Sequence, residues 1–312
     1  MTILRRFTAQ QPEPLLACLL SSLEMKRKDI KNLLKVGAVA VNGAAVCQFD
    51  HPLKPGDDVV VSNLQSAVAA GDLKRARIQI VFEDEAIVVL DKPAGLLTVA
   101  TASEKSDTLY CRLNSYLHRP RGAARAHVVH RLDQETSGLV LFAKSESVRS
   151  RLQDDWPAVE KLYQAVVIGL PDPAQGTIAT YLTETTALQV FSNDHESPGS
   201  RLARTHYRLL RSKDPYSLVE VRLATGRKHQ IRVHMAGLGC PVAGDRRYGA
   251  TADPCDRLAL HAVSLAFAHP ISGQHMRCES PLPAVIRTLV PRTQRHVEAS
   301  PKNAQSRRSE YL

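Results

Sequence analysis

Residues 127–144, His-Val-Val-His-Arg-Leu-Asp-Gln-Glu-Thr-Ser-Gly-Leu-Val-Leu-Phe-Ala-Lys, constrain the chain more than any other stretch. Two apolar runs flank a short polar loop that carries a cation, a carboxylate and two hydroxyls. Gly138 lets the chain turn into an apolar run, 139–143, that reads as a buried strand. Such a strand–loop–strand unit would hold Asp133 on rigid supports, as a catalytic carboxylate requires. Taken alone, Asp133 reads equally well as a turn-capping residue.

The same stretch carries a resemblance. His-Arg-Leu-Asp, two residues, then Thr-Ser-Gly and an apolar run is similar to the signature of the RluA-type pseudouridine synthases. Further motifs extend the resemblance in family order, from about residue 80 to 283. Asp91-Lys92-Pro93-Ala94-Gly95-Leu96 matches a Lys-Pro-x-Gly motif. The segment 224–234, Ala-Thr-Gly-Arg-Lys-His-Gln-Ile-Arg-Val-His, matches Thr-Gly-Arg-x-His-Gln-Ile-Arg-Val-His. The segments 244–249 and 257–262, and His269-Pro270 with Gly273, also fit. Cys240 departs from the family, which often has His before the proline.

The beginning of the chain points to a separate small unit at 12–63. Leu15, Leu16, Leu19, Leu20 and Leu23 recur at helical spacing over 12–24. A second short helix over 25–36 turns Ile30, Leu33 and Leu34 inward and Lys26, Arg27, Lys28, Lys31 and Lys35 outward, and Gly37 stops it. Asn42-Gly43 between two apolar runs predicts a tight hairpin. Residues 1–11 read as a loose basic start. The unit resembles the small RNA-binding module first known from a small-subunit ribosomal protein, here termed S-four-like, although Pro14-Leu15-Leu16 stands where that module usually has Arg-Leu-Asp. On that resemblance Lys28, Lys31 and Lys35 would contact RNA; as residues alone they also fit a solvated basic face.

Residues 64–77 read as a linker and 78–290 as the main domain. Within it, 161–169 is a β-rich run with Tyr163 among apolar residues. Residues 171–203 read as loops with short strands, 206–213 with 216–223 as a hairpin, 227–237 as a helix and 283–290 as a last short helix. Ser145 is placed to cap a helix running to about Asp155. From 291 to 312 the chain is polar and basic and reads as disordered.

Composition narrows the function classes. With 41 Lys and Arg against 31 Asp and Glu, the net charge of +10 favours an anionic partner, and a polyphosphate backbone is the commonest. No apolar run approaches the roughly 18 residues of a membrane span, and 1–6 lack a secretion signal, so a cytoplasmic protein is expected. The six cysteines are scattered, without a CxxC pair, and reduced thiols are expected. No P-loop, GxGxxG or HExxH occurs, and His229 and His234 lack the i, i+4 spacing that would stack two ligands on one helical face. No metal and no cofactor are expected.

The resemblance implies an α+β catalytic domain with a mixed, largely antiparallel sheet and a central cleft. It implies an RNA pseudouridine synthase, an isomerase that converts uridines in structured RNA, ribosomal before transfer RNA, to pseudouridine, acting as a monomer. The implied catalytic residues are Asp133, Tyr163 and Arg227. Asp133 is the carboxylate, Tyr163 stacks on the base, and Arg227 pairs with Asp133. Arg131 would fill the gap left by a flipped base, and His130, Thr136 and Lys92 would bind substrate RNA. Singly, Tyr163 reads as a core tyrosine, Arg227 as a helix-start charge and Arg131 as a phosphate contact. Two rival readings are a catalytically silent RNA-binding or ribosome-assembly protein on the same fold, and a nucleoside N-glycosidase using Asp133 with water.

Overall fold

A computed structural model describes residues 3–35, 37–62, 73, 77–101, 108–117, 125–185 and 189–291. The expected linker, apart from Leu73 and Arg77, and the expected tail beyond 291 lie outside the described residues.

The N-terminal part folds as a small sheet covered by two helices. The strands are Ile3–Thr8, Asp58–Ser62, Val39–Val41 and Ala44–Ala45, in that spatial order. Asn42 and Gly43 both have positive φ, 51° and 81°, and close the Val41–Ala44 hairpin, as the Asn-Gly pair predicts. The first residues are not a loose start. Ile3–Thr8 pairs antiparallel with Asp58–Ser62, and Arg6 donates two hydrogen bonds to the Asp58 carboxylate, both at 2.9 Å. Basic side chains on an edge strand escape an apolar-periodicity reading because one face stays in water. The helices Leu15–Ser22 and Arg27–Lys35 bury Leu15, Leu19, Ile30 and Leu34 against Val39, Val59 and Val61. Leu20, expected on the buried stripe, is exposed, because at about 100° per residue it lies just beyond the face formed by Leu15, Leu16, Cys18 and Leu19.

The larger part is built on a sheet of eleven strands. Its main path runs Val190–Asn193, Gln175–Glu184, Arg201–Lys213, Tyr216–Leu223, Glu160–Ile168, Leu260–Ala268, Ser137–Ala143, Ile87–Lys92 and Gln79–Glu83. Every pairing is antiparallel except Ser137–Ala143 beside Leu260–Ala268, so the sheet is mixed and largely antiparallel, and the architecture is α+β. The two strands that meet in parallel are almost wholly buried, which fits strands covered on both faces.

Gly138 makes that parallel contact possible. Its φ is 113°, and an added Cβ would lie 2.3 to 2.8 Å from the Ala262 backbone. A buried polar chain crosses the same place. The Arg257 guanidinium donates to Ser137 Oγ at 2.6 Å, Ser137 meets His261 Nδ1 at 2.7 Å, His261 Nε2 meets Ser280 Oγ at 2.9 Å, and Ser280 donates to Asp91 at 2.6 Å. Each buried polar group thus has its partner.

Residues 171–203 are not mainly loop. Gln175–Glu184 is a ten-residue strand, and Arg201 already belongs to the thirteen-residue strand that continues the expected 206–213 run. These strands lie toward the sheet edge with much of their length in water, so they carry Thr and Tyr in place of an apolar run. Ser145 caps Glu146–Asp154, accepting from the Val148 amide. The thiols also differ from expectation: Cys47 of the N-terminal part and Cys111 of the helix Leu109–Leu117 form a disulfide, a pairing that their spacing of 64 residues conceals.

Candidate active site

Asp133 lies in the loop between His127–Val128 and Ser137–Ala143, which pair antiparallel. The segment 92–98 grips that loop from beneath. Lys92, fully buried, donates from Nζ to the carbonyls of Pro93, Leu96 and Gln134 at 3.0, 2.7 and 2.9 Å. Gly95 N donates to the Gln134 carbonyl at 2.9 Å, and Gln134 Nε2 returns a bond to Gly95 O at 3.0 Å. Thr98 Oγ1 donates to Leu132 O and accepts from Leu132 N. Thr136 N donates to Asp133 O at 3.2 Å and closes the turn, and the Thr136 side chain is buried.

Lys92, expected at the RNA, is therefore an internal tie. Burial pulls its ammonium down to about 7, against the opposing pull of Asp133 and Glu135. His130, also expected at the RNA, faces inward. Its Nε2 accepts from Leu141 N at 3.0 Å, and its ring stacks on Trp156 at 4.5 Å. Burial and Lys161 hold it neutral, with a pKa of about 3. Arg131 is exposed on the cleft wall.

The cleft, about 780 Å³, has Asp133, Arg131, Tyr163, Arg227, Lys228 and Arg232 among its walls. Tyr163 stands on Glu160–Ile168, beside an irregularity in its pairing with Leu260–Ala268 that shifts the register between Leu162 and Tyr163. Such a bulge re-aims a side chain, here one that shares the cleft with Asp133. Enclosure, and then the Asp133 charge, push the Tyr163 hydroxyl far above its ordinary value, so it is protonated at neutral pH.

Asp133 keeps 29% side-chain exposure at the cleft floor. Enclosure raises its pKa above the ordinary carboxylate value, and Arg232, Lys92, Lys228 and Arg131 pull against that rise.

Arg227 does not pair with Asp133. It is exposed, and its Nε donates to Leu202 O at 3.2 Å. The helix begins three residues later than expected, at Gln230, because His229 takes a left-handed φ of 53°. Gln230 Oε1 accepts from Arg227 N at 3.0 Å and from Thr225 Oγ1 at 2.9 Å, which fixes the turn with Arg227 facing outward.

The strongest cationic pull on Asp133 comes from Arg232. Arg232 is buried and bound through two hydrogen bonds of 2.7 Å to Asp245, which keeps it charged. His229 completes the wall: Nε2 is 4.0 Å from Asp133 Oδ2, and Nδ1 meets the Tyr248 hydroxyl at 2.7 Å. Burial and nearby Arg232 and Lys228 bring His229 down to about 3, so it is a neutral imidazole. The Tyr248 oxygen accepts from Val190 N at 3.1 Å, leaving its proton to donate to His229 Nδ1. In that tautomer Nε2 carries its hydrogen toward Asp133. Sequence reading chose the first arginine of the 224–234 motif; the inward one is the second, set by where the helix starts.

The RNA pseudouridylate synthase family matches residues 86–237. Over 285 residues the chain is 32% identical to the uncharacterized RNA pseudouridine synthase YhcT of Bacillus subtilis, covering 90% of this chain and 93% of that one. The chain belongs to the RluA family of RNA pseudouridine synthases. This synthase is also 33% identical over 294 residues to the ribosomal large subunit pseudouridine synthase D of Zymomonas mobilis, covering 88% of this chain and 90% of the relative. Among solved structures, human RNA pseudouridylate synthase domain containing 4 is 25% identical with a TM-score of 0.57, over 70% of this chain and 92% of that one. As a member of the family the chain is an isomerase acting on RNA.

Proposed function

We propose that this synthase converts specific uridines of ribosomal RNA to pseudouridine with Asp133 as the catalytic carboxylate. The observation that carries the reading is a carboxylate on a clamped loop at the floor of a cationic cleft shared with Tyr163 and Arg232, while the other carboxylate of the walls, Glu184, is paired with Lys228. The reaction breaks the bond from ribose C1′ to N1 of uracil, turns the base, forms the C1′–C5 bond, releases the C5 hydrogen as a proton and leaves N1 protonated by one taken up in exchange. A carboxylate suits the cationic character that develops at C1′. Arg232 and Lys92 favour its ionised form against the enclosure. His229 Nε2–H is placed to orient the carboxylate.

Tyr163 offers its ring as a platform for the uracil. Its hydroxyl, held protonated first by burial and then by the Asp133 charge, is a poor base at neutral pH. A uridine held in RNA structure must be extruded to reach this floor, and Arg131 stands at the cleft wall to take its place in the stack. The N-terminal unit serves as an S-four-like RNA grip through Lys28 and Lys31. The naming of several relatives as ribosomal large subunit synthases supports ribosomal over transfer RNA. Mapping pseudouridines in total RNA from cells with and without the gene tests the assignment. Loss of one or more ribosomal sites is expected. Loss confined to transfer RNA would overturn the substrate, and no loss at all would favour a silent RNA-binding protein.

A further inference from the structure

A second groove lies where the N-terminal unit meets the catalytic domain. It is about 400 Å³, and Val99 and Val128 line both it and the Asp133 cleft, so the two adjoin. Phe49 projects from the N-terminal unit with 48% exposure, and the Lys31 ammonium sits 5.1 Å from the centre of its ring. Across the groove, half-buried Tyr110 accepts from Arg125 Nε and Nη2 at 3.3 and 3.2 Å. The Cys47–Cys111 disulfide ties the segment bearing Phe49 to the helix bearing Tyr110, so the two aromatic residues are held by one covalent anchor. Among the described residues no carboxylate lines this groove, while Lys31 and Arg125 do.

An exposed ring beside cations, in a positively charged groove adjoining the Asp133 cleft, has the chemistry of a single-strand nucleic-acid site: rings stack on bases and cations follow the phosphates. A polypeptide occupant would find two small aromatic surfaces and few hydrogen-bonding partners. We propose that this groove is a second RNA subsite, in which a nucleotide flanking the extruded uridine stacks on Phe49 while Lys31 and Arg125 contact its phosphates. The subsite rests on the reading of the Asp133 cleft as an RNA site. It gives the N-terminal unit a role in placing the strand beyond general attraction.

The test uses the full-length protein and a fluorescein-labelled single-stranded oligouridylate long enough to span both grooves. Phe49→Ala should weaken binding roughly tenfold, the scale of one lost base stack. Phe191→Ala, which removes an equally exposed ring that lines neither groove, should leave binding unchanged. With 4-thiouridine in the probe, ultraviolet crosslinks should map to the peptides bearing Phe49 and Tyr110. Unchanged binding in Phe49→Ala, equal weakening in both variants, or crosslinks confined to other peptides would overturn the subsite. Binding is read without catalysis, so the two readings fail separately. A wild type that makes pseudouridine while Phe49→Ala binds normally loses only the subsite. A wild type that shows the binding pattern but makes no pseudouridine loses only the catalytic reading.

Discussion

Lys92 shows how a motif residue can serve the site without touching substrate. Its Nζ gathers three carbonyls from the two segments that form the catalytic loop. Lys92→Met would leave those carbonyls without their donor. A loss of about 2–4 kcal/mol in urea unfolding of the full chain is expected. Its pH signature has a definite sign. The folded pKa, about 7, lies below the ordinary lysine value of 10.5, so between them the unfolded chain binds the extra proton. Wild-type stability should therefore rise from pH 7 toward pH 10 relative to Lys92→Met, and the two curves should run parallel below pH 6. A flat difference across that window would mean that Lys92 is not titrating in the folded protein. Arg131 belongs to the same scale. If it replaces an extruded base, Arg131→Ala should slow turnover of a stem-loop substrate more than that of an unstructured oligonucleotide. Equal losses in single-turnover assays would make it a plain phosphate contact.

The strand Ser137–Ala143 decides where Asp133 can stand, and Gly138 decides how closely the next strand approaches. Gly138→Ala would push a Cβ into the Ala262 backbone at a φ disfavoured for alanine. A loss on the order of 3 kcal/mol or more is expected in thermal or urea unfolding. A neutral effect would mean that the parallel pairing is looser than described. This strand and its loop were legible in the sequence because the apolar run, Gly138 and the carboxylate are adjacent, and the Asn42-Gly43 hairpin was legible for the same local reason. The segment 224–234 was legible as a motif but not in its geometry. Which of Arg227, Lys228 and Arg232 turns inward depends on the left-handed His229 and on Gln230 reaching back to the turn, and the winning arginine is held by Asp245, thirteen residues on. Lys92 was misread because two of its acceptors come from its own turn and the third lies 42 residues away. The strand Gln175–Glu184 was missed because a partly exposed strand needs no apolar run.

At the scale of the whole molecule, two units of separate sheets would divide grip from chemistry between different side chains. Lys28 is exposed and Lys31 half-exposed on the helix Arg27–Lys35, remote in sequence from Asp133. If both meet phosphates, Lys28→Ala with Lys31→Ala should weaken binding and flatten the slope of log affinity against log salt by about 1 to 2. An unchanged slope in a titration would remove the N-terminal unit from the RNA. No helix among the described residues is long and apolar enough to cross a membrane. The central claim is that Asp133 performs the isomerisation while distant cations hold the RNA. Asp133→Asn keeps the size of the side chain and removes its charge and its nucleophilic oxygen. The decisive measurement is tritium release from ribosomal RNA labelled at carbon 5 of uracil, because that hydrogen leaves when the base is rejoined through carbon 5. The account predicts release by the wild type and none by Asp133→Asn at similar RNA affinity; substantial release by Asp133→Asn would contradict it.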